Sequence, residues 1–161
     1  MNKIYILLGA NLGDPIAQLA KASILLQEKI GTVITQSSIY ESKGWGVEDQ
    51  PLFYNQAMII QTDLDKQECL RICQEIEIEL GRVRLVKWGA RFIDIDIIYF
   101  NEEVYESEDL SIPHPLIQFR NFVLIPLCEI AEDYLHPVLL KTTKQLLAIS
   151  KDSLPVNRVT Q

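Results

Sequence analysis

Residues 42–52 read SKGWGVEDQPL. Two glycines and a proline punctuate this stretch, and no apolar residue recurs at helix or strand spacing, so it reads as a loop. Strands are predicted on both sides of it. Thr32–Glu41 is β-branched and alternating, and Phe53–Thr62 is a run of strand-forming residues. Parallel strands need a long crossover, usually a helix, and none is written between these two. The pair is therefore expected to be antiparallel, and a doubly wound parallel sheet is disfavoured.

The elements outward from this loop agree. Lys3–Gly9 is a short apolar strand. GANLGDP follows as a turn, with Asp14 placed to cap a helix and Pro15 at its first position. Ile16, Leu19, Ala20, Leu26 and Ile30 mark one face of that helix. A second helix is predicted over Asp65–Leu80, where Asp65 and Glu68 resemble a capping box. Its core face is Cys69, Ile72, Cys73, Ile76 and Leu80, and Gly81 can end it. GARFIDIDIIYF, Gly89 to Phe100, reads as a buried strand. Asn101–Leu110 is acidic and turn-like, and Pro113 and Pro115 bar SIPHP from a central strand. Phe119–Ala131 is a third helix and residues 140–149 a fourth, with the last ten residues expected to fray. The order β-α-β, β-α-β, then helices predicts an α+β fold. We expect a ferredoxin-like antiparallel sheet with helices packed on it, a three-layer αβα arrangement, and one domain over residues 1–161.

Composition narrows the function. The 161 residues suffice for a sizeable core, and 48% hydrophobic with 23% charged residues is ordinary for a globular chain. A net charge of −7 argues against binding nucleic acid or an anionic membrane. No apolar run reaches the length of a membrane span, and MNKIYILLGANLGD reads as a first strand, not a signal peptide. Cys69 and Cys73 read as reduced core residues, without CxxC or a nearby His to suggest a metal site. A cytoplasmic address follows.

Asp94 and Asp96 interrupt the last apolar strand. Side chains alternate in a strand, so Phe92, Asp94, Asp96 and Ile98 are expected on one face and Ile93, Ile95, Ile97 and Tyr99 on the other. The two carboxylates would lie roughly 6–7 Å apart. Such a pair is either a solvated outer face or a holder of a hard cation such as Mg²⁺ or Mn²⁺. Just before it runs a stretch with no acid between Glu79 and Asp94, carrying Arg82, Arg84, Lys87 and Arg91. That local cationic patch suits a small anion, since Arg forks match phosphate oxygens and Lys supplies a point charge. Carboxylates, a divalent cation and Arg or Lys clamps are the recurring parts of phosphoryl transfer. No P-loop motif is present, so the phosphate site is of another kind. Trp45, Phe53, Trp88 and Phe122 are candidates for an aromatic clamp on a flat ring, and Asn55, on the Phe53 face, offers an amide to a heterocycle edge. Equally, Phe53 and Phe122 suit a core and Asn55 a surface.

The chain resembles the 6-hydroxymethyl-7,8-dihydropterin pyrophosphokinases of folate biosynthesis. The resemblance runs over nearly the whole chain. It is carried by LGANLGD, EDQPLFYNQA, EIELGRVR, KWGARFIDIDII and SIPHPLIQFRNFVLIPL. It implies an ATP-dependent pyrophosphokinase that moves diphosphate from MgATP to the pterin hydroxymethyl group and releases AMP. Asp94 and Asp96 match the pair that holds two Mg²⁺ ions, and Arg82 and Arg91 match catalytic arginines. Gln74, Glu77, Arg84, Lys87, His114 and Arg120 fall at ATP-site positions. Ser42, Trp45, Phe53, Asn55, Trp88 and Phe122 fall at the pterin pocket. The chain departs from relatives at Phe53 (often Tyr), Lys87 (often Arg), Asp109 (basic in some) and the Ser42–Trp45 loop (Thr-Pro-rich in some). A monomer is expected. The rivals are a nucleotide or pterin sensor without catalysis and a metal-dependent phosphohydrolase.

Overall fold

The computed structural model describes residues 1–43, 51–81 and 92–160. Their order is β1 (Asn2–Ala10), α1 (Pro15–Lys29), β2 (Gly31–Gln36), β3 (Tyr40–Ser42), β4 (Phe53–Thr62) and α2 (Lys66–Glu79), then β5 (Asp94–Phe100). A small hairpin of β6 (Tyr105–Glu106) and β7 (Ser111–Ile112) follows, then a 3-10 turn at Ile117–Phe119, α3 (Asn121–Ala131), α4 (Thr143–Ile149) and β8 (Val156–Arg158). The main sheet runs β5-β1-β4-β3-β8, with β2 also paired to β4, and every pairing in it is antiparallel. The strand order β5-β1-β4-β2 is the ferredoxin-like one expected from the sequence.

Helices cover both faces. On one, Ile4, Ile6 and Leu8 of β1 pack with Leu19 and Leu26 of α1 and with Ile72 and Ile76 of α2. On the other, Tyr5 and Leu7 pack with Val123, Leu124 and Leu127 of α3 and Leu146 of α4. β1 is buried on both faces, which is why its sequence is a continuous apolar run. The caps are those expected: Asp14 accepts from the Ala17 amide and Asp65 from the Glu68 amide. Cys69 and Cys73 are free thiols in the core. Gly81 ends α2 with φ +89°, a conformation that favours glycine.

Five expectations need correction. On α1 Ala20 is exposed, and Ala22 joins Leu19 and Leu26 on the buried face. The second predicted strand is two strands, β2 and β3, both on β4. The acidic stretch after Asn101 holds β6. Tyr99 does not share a face with Ile97. The register shifts between Tyr5 and Ile6, which pair with Tyr99 and Ile97, so Ile98 is an extra residue in β5. This bulge turns Ile98 and Tyr99 toward α3 and Phe100 toward α1 and α2. Finally, the last ten residues do not fray. Val156–Arg158 add a strand to the main sheet beside β3.

Candidate functional site

Side chains directly opposite one another in an antiparallel pair lie on one face. Gly9 of β1 stands opposite Asn55 of β4 and Asp94 of β5, and Asn55 stands opposite Tyr40 of β3. Asp94, Gly9, Asn55 and Tyr40 therefore form one row across the sheet, on the face that α3 covers further along. The next row is Asp96, Leu7 and Ala57. Gly9 leaves a notch in the first row, and the Asn55 amide fills it. A Cβ there would meet the Asn55 Nδ2 at 2.8 Å.

Asn55 is buried, which settles it against a surface position. Its Nδ2 donates to the Leu8 carbonyl at 3.2 Å, while its Oδ1 is buried with no hydrogen-bond partner among the described residues. Buried acceptors are nearly always paired, so this amide is fixed with one acceptor available to a ligand donor. Ser42 is buried and opposite Phe53, which is half-buried on the same face as Asn55. Phe122, at the start of α3, packs against the Tyr5–Leu7 side of the core. The Arg120 guanidinium lies 5.7 Å from its ring centroid.

Beyond the row, β5 ends the sheet. A cavity of about 330 Å³ lies along it, lined by Leu70, Ile95, Asp96, Ile97, Leu110 and His114, with Glu108 and Asp109 at its rim. The His114 amide donates to the Ile98 carbonyl, and its Nδ1 accepts from the Leu116 amide at 3.2 Å. Its proton therefore sits on Nε2. Burial, with the nearby Arg120 charge, pushes the His114 pKa down to about 4, so the ring is neutral at pH 7. Burial also lowers the Arg120 pKa, and Asp96 opposes this. Asp96, Arg120 and His114 thus form one electrostatic group. Asp94 is half-buried and stands opposite Gly9, and Asp96 is exposed and lines the cavity.

Glu77 is a buried carboxylate on α2. It accepts the Ile95 amide at 2.8 Å, between the two aspartates, and so fixes the start of β5 from behind. Gln74, one turn earlier, is exposed and does not line the cavity. Asp109 accepts from Ser107 Oγ at 2.8 Å and from Gln67 Nε2 at 3.4 Å. Trp45, Arg82, Arg84, Lys87, Trp88 and Arg91 lie outside the described residues. The sequence reading missed Gly9, which it took for a strand end, and Tyr40. Gly9 had a signal, since a glycine closing an apolar strand can mark a close approach.

Two hard carboxylates two residues apart on one strand, one of them lining a cavity, suit a divalent cation. The Cys73 thiol belongs to the opposite layer and is kept protonated by burial. Such a pair is the kind of group that metal-assisted phosphoryl transfer uses. Residues 5–132 match the family model for 7,8-dihydro-6-hydroxymethylpterin-pyrophosphokinase (HPPK), and the chain belongs to that family. It is 48% identical over 134 residues to the 2-amino-4-hydroxy-6-hydroxymethyldihydropteridine pyrophosphokinase of Bacillus subtilis, covering 82% of this chain and 80% of that one. With the enzyme of the same name from Aquifex aeolicus it is 39% identical over 145 residues, 90% of each chain. Its fold is similar to that of the Plasmodium falciparum HPPK-DHPS crystal structure with pteroate, at a TM-score of 0.74 and 18% identity. That likeness covers 91% of this chain and 42% of the longer one. Among the described residues no helix is long and apolar enough to cross a membrane.

Proposed function

We propose that this chain transfers diphosphate from MgATP to the hydroxymethyl group of 6-hydroxymethyl-7,8-dihydropterin, in the cytoplasm and as a monomer. The row of Asp94, Gly9 and Asn55 carries the reading, because it sets a carboxylate and an amide acceptor with no partner among the described residues on one face, on either side of a glycine. The pterin would donate a ring N–H to Asn55 Oδ1 and stack on Phe122 and Phe53, with Ser42 at the rim. Its hydroxyl would then lie at Asp94. ATP would occupy the cavity along β5. Glu108 and Asp109 make the far rim negative, which suits ribose hydroxyls better than phosphate and directs the triphosphate toward Asp96, His114 and Arg120.

The pterin oxygen forms a bond to the β-phosphorus and gives up its proton, past Asp94, to solvent, while the bond from that phosphorus to the α,β-bridging oxygen breaks and AMP leaves with that oxygen. Asp94 and Asp96 would hold Mg²⁺, two ions by analogy with the family, which supplies charge neutralisation for the phosphates when bound. Asp94 orients the attacking hydroxyl. Neutral His114 donates from Nε2 to a phosphate oxygen, and Arg120 offsets its charge. Arg82 and Arg91 would stabilise charge at the transferring group, with Arg84, Lys87 and Gln74 on ATP and Trp45 and Trp88 on the pterin. Glu77 would act by holding Ile95 and so the aspartates on either side.

AMP release from ATP and Mg²⁺, with and without the pterin, tests this in wild type and Asp94→Ala. Pterin-dependent AMP that disappears in the variant is expected. AMP or ADP made equally without pterin would indicate a hydrolase, and ATP binding without turnover a sensor. Chelating the Mg²⁺ should abolish the reaction.

A further inference from the structure

The family match ends at residue 132, but the chain beyond it returns to both sides of the acceptor site. On one side β8 pairs with β3: Val156 opposite Ser42, Asn157 opposite Glu41 and Arg158 opposite Tyr40. The Val159 amide continues the ladder, donating to the Ile39 carbonyl at 2.8 Å. β3 in turn sets Ser42 opposite Phe53 and Tyr40 opposite Asn55. On the other side, Asp152 Oδ2 accepts the Asn121 amide at 2.8 Å, and Asn121 Nδ2 donates to the Asp152 carbonyl at 3.2 Å. Asn121 is the first residue of α3, between Arg120 and Phe122. Asp152 thus supplies from a distant segment the anionic cap that a helix start favours. Asp152 is itself held, accepting from the Leu154 amide at 3.0 Å and donating from its own amide to Ser150 Oγ at 3.2 Å.

We infer that segment Asp152–Val159 is a positioning element for the acceptor site, tying the β3–β4 wall to the α3 wall and setting the gap between Asn55 and Phe122. This rests on the reading that the pterin binds against the Asn55 row. The walls also meet deeper down, where Glu129 of α3 accepts the Tyr40 hydroxyl at 2.5 Å and the Ser38 amide at 2.9 Å. The helix thus stays docked when Asp152 is lost, and only its entrance end loosens. None of the C-terminal residues lines the cavity along β5. The larger effect should therefore fall on the acceptor, with a smaller one on ATP through Arg120, which adjoins Asn121.

The test compares wild type with Asp152→Ala, Asp152→Asn and Val159→Pro, the last removing the amide donor to Ile39. Steady-state KM is measured for 6-hydroxymethyl-7,8-dihydropterin and for ATP, together with thermal unfolding. In Asp152→Ala and Val159→Pro the pterin KM is expected to rise about tenfold, equivalent to about 1.4 kcal/mol. ATP KM should stay within about twofold. Asp152→Asn should return pterin KM toward wild type, because an amide oxygen still accepts the Asn121 N–H. Equal rises in both KM values, or a lowered unfolding temperature with pterin KM unchanged, would overturn the inference. If Val159→Pro does not fold, the Asp152 pair decides alone. Wild type that forms no pterin-dependent AMP would instead remove the underlying reading, and this inference with it.

Discussion

Two strand glycines allow the site and the scaffold to be perturbed separately. An alanine at Gly9 places its Cβ 2.8 Å from Asn55 Nδ2 and 3.9 Å from Asn55 Cγ, with no backbone atom among its close neighbours. An alanine at Gly31 places its Cβ 2.0 Å from the Gln61 carbonyl oxygen and 3.0 Å from that carbonyl carbon. A side-chain amide can rotate away, whereas a paired strand backbone cannot. Gly9→Ala gains about 0.5–1 kcal/mol by restricting the unfolded chain and loses about 0.5–1.5 kcal/mol with the Asn55–Leu8 hydrogen bond, so stability should change by less than about 1 kcal/mol. Gly31→Ala receives the same gain but overpacks a backbone, at a cost of about 1–3 kcal/mol or more, and its unfolding temperature should drop by several degrees. Function should follow the reverse order. Gly9→Ala displaces the amide that would read the pterin, and pterin KM should rise about tenfold or more, the effect of roughly 1.4 kcal/mol. Gly31→Ala should leave it unchanged in the folded fraction. Urea unfolding and initial-rate assays on both variants decide. A Gly9→Ala enzyme with normal pterin KM would refute the placement of the acceptor on this row, and a Gly31→Ala chain as stable as wild type would refute the strand register.

Other perturbations have equally definite outcomes. His114 ordinarily titrates near 6.5 and here near about 4, so between these values the unfolded chain binds a proton that the folded one does not. Its contribution to stability is therefore full above about pH 6.5 and lost as pH falls toward about 4, and His114→Gln should flatten the pH dependence of the urea midpoint in that window. Burial lowers His136 as well, so the residual slope in His114→Gln should shrink further in the double variant. Thr142 and Gln145 form a reciprocal capping box on α4, and Thr142→Ala should cost about 1 kcal/mol in denaturation with kcat unchanged. The Tyr99 hydroxyl is buried with no hydrogen-bond partner. Tyr99→Phe should therefore leave stability equal or raise it by up to about 1 kcal/mol; a loss of several kcal/mol would mean that the hydroxyl is satisfied.

Much of the fold was legible because its signals are local. Phe53–Thr62 is the observed β4, and Asp14 and Asp65 cap the helices they precede. The missing helix between strands correctly implied antiparallel pairing. The failures were non-local. Val156, Asn157 and Arg158 have no strand pattern of their own; their partner is β3, more than a hundred residues earlier in the chain. The split between β2 and β3 arises where the Ser37 amide donates to the Ala57 carbonyl and Glu129 accepts from Ser38, contacts that no window of sequence contains. In the site, the carboxylate pair and the buried amide were visible as residue types. Their meeting across Gly9 needed the register, because a glycine contributes only the space it leaves.

The bulge at Ile98 links these two kinds of information. Strict alternation would place Ile98 with Asp94 and Asp96 and send Tyr99 to the opposite layer. The extra residue instead directs Ile98 and Tyr99 together under α3, where Tyr99 stacks on Tyr134 at 4.1 Å and meets Tyr5 edge-on at 5.6 Å. It divides β5 into a polar half that faces the notch and an apolar half that seals the core beneath α3. The polar half gets its rigidity from elsewhere: from β1, which pairs Gly9 and Leu7 with the two aspartates, and from Glu77, which takes the Ile95 amide on the opposite layer. Two like charges at a sheet edge repel, and repulsion alone would fray the strand end. Held from both sides, the carboxylates keep their separation before any cation binds, so less ordering remains to be done when the metal and nucleotide arrive.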